Sequence, residues 1–115
     1  MTIRYKDEGR PGGVAWRLAG AKLTLGGQLE LDLEALAGDD PVSLCVSETR
    51  DGRLTLGPAW RYVAELSLPA RQSRIEKLGY TDDFGYPALG RRRLPLALED
   101  AVLTLWPGRG THERI

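Results

Sequence analysis

The chain has 115 residues, 16 Lys and Arg against 16 Asp and Glu, a formal net charge of zero and a single cysteine. This length makes one domain with an ordinary core, and balanced charge argues against a dedicated nucleic-acid or membrane-surface protein. A lone thiol forms no intrachain disulfide, no apolar run reaches the length of a membrane-spanning helix, and residues 1–13 lack a signal peptide's apolar core, so the expected compartment is the cytoplasm.

Residues 1–13 begin with an extended stretch at 2–6 and end in Gly9-Arg10-Pro11-Gly12-Gly13, linker chemistry that sets them apart as a flexible N-terminal segment. A single β domain is expected over 14–106. Strand patterns run through 14–18 and 21–25, and Gly26-Gly27 marks a turn. With Gly26, Gly27 and Gln28 as the loop, Leu25 faces Leu29 and Leu23 faces Leu31; a two-residue loop would misalign the apolar faces. Residues 32–38 read either as one short helical turn, with Asp32 as N-cap and Gly38 just past the end, or as more strand followed by loop. Asp39-Asp40-Pro41 is an exposed turn.

Residues 41–68 read as three consecutive antiparallel strands on which the rest of the chain pairs. Asp51-Gly52 is a strong hairpin signal, because Gly accepts positive φ without steric cost. A three-residue loop, Arg50-Asp51-Gly52, sets Val46 opposite Leu56 and Glu48 opposite Leu54 and collects the apolar side chains on one face. Burial therefore selects it over the two-residue loop, with a type I turn and Gly52 in a G1 bulge. In the next strand Trp60, Tyr62, Ala64, Leu66 and Leu68 alternate with Arg61, Val63, Glu65 and Ser67, a period of two.

Pro69 cannot donate to a ladder, so the chain leaves the sheet there. Residues 71–78 form one extended arm, 79–87 a long turn and 88–94 the return arm. Pro95 mirrors Pro69, which sets both arms leaving the body at one level. Residues 102–106 are apolar on both faces, the mark of a central strand, and 107–115 form a polar tail expected to be disordered. The expected fold is all-β: an antiparallel sandwich or partly open barrel with one protruding hairpin over 71–94.

Chemistry-bearing residues are sparse. Cys45 and His112 are the only thiol and imidazole, one mid-strand and one in the tail, and read as a small hydrophobe and a solvated side chain. Asp39-Asp40, Asp82-Asp83 and Glu99-Asp100 sit at turns, where Asp bonds the local backbone. No phosphate-binding glycine motif, calcium loop or zinc ligand set is present, so neither an enzyme nor a cofactor or metal is expected. Trp16, Trp60 and Trp106 fall in predicted strands and are assigned to the core.

Two features point to contact with a partner. Tyr80, Phe84 and Tyr86 cluster in one predicted turn, where exposed aromatics serve as anchors. The arms carry Arg71, Arg74, Lys77, Arg91, Arg92 and Arg93 against Glu76 alone, in a chain that is neutral overall. Residues 1–58 hold seven cations and nine anions, residues 59–115 nine and seven. The expectation is a non-enzymatic interaction or assembly protein, a homo-oligomer or subunit of a larger particle. Its contact arm is the hairpin, through Arg71, Arg74, Arg91, Arg92, Arg93, Tyr80, Phe84 and Tyr86. The alternative is a small-molecule or carbohydrate site formed by the loop at 80–86. Nucleic acid gripped by the basic ribbon comes third.

Overall fold

In a computed structural model of the chain, residues 1–7, 9 and 12–107 are described. The tail expected at 107–115 lies outside them except for Pro107, and so does His112. The ten strands are β1 (Thr2–Tyr5), β2 (Trp16–Ala19), β3 (Lys22–Leu25), β4 (Leu29–Asp32), β5 (Val42–Glu48), β6 (Leu54–Leu56), β7 (Arg61–Leu68), β8 (Ser73–Thr81), β9 (Pro87–Arg93) and β10 (Val102–Leu105). One helical turn, α1 (Leu33–Leu36), follows β4, and a 3-10 turn (Leu98–Asp100) precedes β10. The fold is all-β, as expected.

The strands form a five-stranded sheet in the order β1-β10-β7-β5-β6, a three-stranded sheet β2-β3-β4, and the isolated pair β8-β9. The first two share one core. Leu23, Leu25, Leu31 and Leu33 meet Val46, Ala64, Leu66, Leu68, Leu103 and Leu105, all nearly or fully buried. Each such leucine contributes about 2 kcal/mol of transfer free energy. Gln28, at the β3–β4 turn, joins the layers: its Nε2 donates to Gly52 O at 3.2 Å and its Oε1 accepts from Leu54 N at 3.1 Å.

Both predicted registers are present. Leu25 faces Leu29 and Leu23 faces Leu31; Val46 faces Leu56 and Glu48 faces Leu54. Gly52 has φ +87° and donates to Thr49 O at 3.0 Å, while Thr49 N donates to Arg53 O at 2.8 Å, the pattern of a type I turn closed by a G1 bulge. Asp32 caps α1 by accepting from Ala35 N at 3.3 Å. Gly38 does not take the left-handed conformation, because the turn ends on Ala37 in extended geometry.

The three strands of 41–68 are antiparallel, as expected, with β5 between β6 and β7. Four other expectations are corrected. The sheet is not wholly antiparallel, since β1 runs parallel to β10. The segment set apart at 1–13 thus supplies an edge strand to the domain.

The third correction concerns β7. Val46 pairs with Ala64 but Ser47 pairs with Tyr62, so Val63 is an extra residue, a β-bulge. One inserted residue reverses the facing of everything before it. Val63 is buried while Tyr62 turns outward at 45% exposure and does not join Ala64 and Leu66 inside. The fourth is the tryptophans. Trp60 lies before the strand at 48% exposure, Trp16 is 42% exposed, and Trp106 is half-buried just past β10. The core is built from leucine, valine and alanine.

Candidate functional site: a projecting hairpin

β7 ends at Leu68, one residue before Pro69, and the chain leaves the five-stranded sheet there. It returns through Leu94 and Pro95. The two arms are stitched at their base: Leu94 N donates to Gln72 O at 2.8 Å, and Arg71 Nη2 and Nε donate to Leu94 O at 2.9 and 3.3 Å. Arg71 N in turn donates to Gly38 O at 2.8 Å. Both arms therefore leave the body at one level, as the two prolines implied.

Beyond the base, β8 and β9 pair with each other and, among the described residues, with no other strand. Their register sets Arg74 opposite Arg92, Ile75 opposite Arg91 and Lys77 opposite Leu89. A strand alternates its faces, so Arg74, Glu76, Gly90 and Arg92 share one face and Ile75, Lys77, Leu89, Arg91 and Arg93 the other. An irregularity between Lys77 and Thr81 puts extra residues in β8, with Gly79 at φ +88°. Tyr80 consequently belongs to the strand and not to the turn. The turn itself is residues 82–86.

The arginines are engaged within the chain. On one face Glu76 Oε1 accepts from Arg74 Nη2 at 3.0 Å and Arg92 Nη1 at 3.4 Å. On the other, Asp39 Oδ1 lies 3.0 Å from Arg93 Nη2 and 3.6 Å from Arg91 Nη2. With Arg71 on Leu94 O, five of the six ribbon cations have a partner in the same molecule. The hydrogen bond from Arg93, then the charges of Arg93 and Arg91, hold the Asp39 carboxyl below its ordinary value of 3.8. All these pairs are at the surface, where such contacts contribute little stability and mainly set geometry.

The tip loop is internally ordered. Asp82 Oδ1 accepts from both Phe84 N and Tyr86 N at 2.9 Å; Asp82 N donates to Tyr86 O at 2.8 Å and Gly85 N to Asp82 O at 3.1 Å. Gly85, at φ +82°, lets the loop close. This is the backbone-bonding role that aspartate plays in turns. It holds Phe84 and Tyr86 outward at 86% and 69% exposure.

Sequence reasoning named the three aromatics but missed three more apolar residues on the arm, Ile75, Leu78 and Leu89, which are 65%, 49% and 61% exposed. Their signal was present: apolar side chains in a segment expected to stand off the body. Glu76 is legible as the arm's own anion and Asp39 as a turn acid, but that Asp39 meets Arg91 and Arg93 of its own chain is not, because the Arg93 pairing spans 54 positions. A cavity of about 200 Å³ beside the tip is lined by Lys77, Gly79, Tyr80, Thr81 and Pro87, and does not include Phe84 or Tyr86. Cys45 lies opposite Glu65 on the outer face of the sheet. No helix among the described residues is long and apolar enough to cross a membrane. Comparison with family models, curated proteins and solved structures gives no match.

Proposed function

We propose that this chain is a non-enzymatic assembly subunit, and that the hairpin at residues 73–93 is its contact arm. The observation that carries the reading is the exposure of six large apolar side chains, Ile75, Leu78, Tyr80, Phe84, Tyr86 and Leu89, on a pair of strands with no further strand paired to it among the described residues. A two-stranded ribbon alone is marginally stable in water. An exposed apolar surface of this extent on a soluble chain marks a place where another surface docks. The favoured partner is a second copy of the chain.

The aromatic and aliphatic side chains make the contact in this reading. Arg71, Arg74, Arg91, Arg92 and Arg93 stiffen the arm and fix its angle to the body. The ligand-site alternative is less well supported: small molecules are held in concave pockets, and of the three loop aromatics only Tyr80 lines the small cavity beside the tip, while Phe84 and Tyr86 stand exposed outside it. The nucleic-acid reading has little support either, because five of the ribbon's six cations are engaged within the chain and the net charge is zero.

The test is the solution mass of a variant with Phe84→Ser and Tyr86→Ser. Both side chains lie far from the core, so the thermal unfolding midpoint should stay within a few degrees of wild type. Association should weaken at least about tenfold, the usual effect of truncating two interface anchors. An oligomer unchanged in this variant would contradict the reading. The tip is a cleaner target than the arginines, since Glu at 91 and 93 would repel Asp39 and distort the base.

A further inference from the structure

The body has a second exposed aromatic surface, at the end of the five-stranded sheet opposite the arm. β7 enters at Arg61 and leaves toward the arm at Leu68, and its antiparallel neighbour β10 ends beside Ala64. Tyr62, Trp106 and Lys6 therefore gather at the far end. The Tyr62 and Trp106 rings lie 6.1 Å apart at 40°, and Lys6 Nζ stands 5.2 Å from the Trp106 ring centroid. Lys6 N is fixed by Leu105 O at 2.8 Å, and Trp106 N by Val63 O at 3.0 Å. The Val63 bulge puts Tyr62 on this surface when regular alternation would have buried it. Asp7, the nearest acid in sequence, is turned onto Gly9 N at 3.0 Å.

We infer that the hairpin tip of one copy seats on this Tyr62–Trp106–Lys6 surface of the next, so that the chain assembles head to tail. The inference rests on the reading of the hairpin as a contact arm and adds where that arm lands. Three observations carry it. The two exposed aromatic surfaces lie at opposite ends of one molecule. A contact between unlike patches is heterologous, and it propagates into rings or filaments. The charges are complementary: Asp83 flanks Phe84 at the tip and Lys6 crowns the far surface. The shape also fits: the molecule measures 73 × 27 × 21 Å, and strands of the arm's length span about 30 Å. The tip thus lies well clear of its own body and within reach of a neighbour. The ordered tip loop, held by Asp82, lowers the entropy that docking would otherwise cost.

Mixing two defective variants tests this directly. The tip variant is Phe84→Ser with Tyr86→Ser; the far-surface variant is Tyr62→Ser with Lys6→Glu. In head-to-tail assembly each variant alone is monomeric by sedimentation velocity. An equimolar mixture forms a dimer and nothing larger, because the intact tip of one meets the intact far surface of the other. A far-surface variant that assembles like wild type overturns the inference and leaves the arm reading standing. So does a mixture that stays monomeric while wild type assembles. A tip variant that still assembles overturns both. Should Tyr62→Ser unfold the chain by circular dichroism, Lys6→Glu alone weakens wild-type association about tenfold, and Asp83→Lys in the same chain restores it. Failure of that restoration also overturns the inference.

Discussion

Asp39 sits in a turn before β5, yet it receives both Arg91 and Arg93 from the far strand of the hairpin. Its folded pKa is depressed, chiefly by the Arg93 hydrogen bond. A depressed carboxyl contributes its interaction above the unfolded value and loses it as pH falls through the folded one. The anchoring is therefore complete at neutral pH and is lost only as pH falls through the depressed folded value, below 3.8. In a pH titration followed by NMR, the Asp39 carboxyl should titrate below 3.8 in the wild type and move up toward that value in Arg93→Gln. An unchanged midpoint in the variant would remove Arg93 from the anchor. Ser47 offers a second residue-level test. Its side chain is fully buried and Oγ has no hydrogen-bond partner among the described residues. Ser47→Ala removes that unsatisfied group, so stability in urea should stay equal or rise by about 1 kcal/mol. A loss beyond that would show that the hydroxyl is bonded. Asp82→Ala removes the acceptor that holds Phe84 and Tyr86 outward. Association should weaken while the unfolding midpoint of the body stays put; equal losses in both would tie the tip to the core.

At the scale of elements, turn chemistry and burial decided the registers together, and both were legible. The Asp51-Gly52 and Gly26-Gly27 loops could each close in two ways, but only the three-residue closure puts the leucines on one face. Gly52→Ala should accordingly keep the register yet cost about 1 kcal/mol, since a side chain at φ +87° is strained. Chemical denaturation checks the cost, and an unaltered midpoint would mean that the turn relaxes freely. The Val63 bulge was not legible, because nothing distinguishes Val63 from a regular strand residue. The bulge is a property of the pairing with β5 and not of β7 alone, and with it went the facing of Tyr62. The strand order was hidden for the same reason. Parallel pairing of β1 on β10 joins residues about a hundred positions apart, and local pattern carries no record of such contacts. The hairpin was legible through Pro69, Pro95 and the aromatic turn, but the partners of its arginines were not.

The whole molecule is far from spherical. Its radius of gyration is 19.3 Å, against about 13 Å for a compact domain of roughly this size. The body closes its own core, whereas the arm carries apolar residues that no described part of the chain covers. A fifth of the chain's length lies in a ribbon with exposed Ile75, Phe84, Tyr86 and Leu89, the surface we propose for a neighbour. Because those contacts are apolar, association should survive salt that screens surface ion pairs over a few ångströms. The most direct measurement is the wild-type mass by light scattering on a sizing column, across protein concentration and in low and high salt. The account predicts a multiple of 12.7 kDa that grows with concentration and persists in high salt. A monomer at every concentration and salt would contradict it, and an assembly that dissolves in salt would shift the contact from the aromatic tip to the arginines.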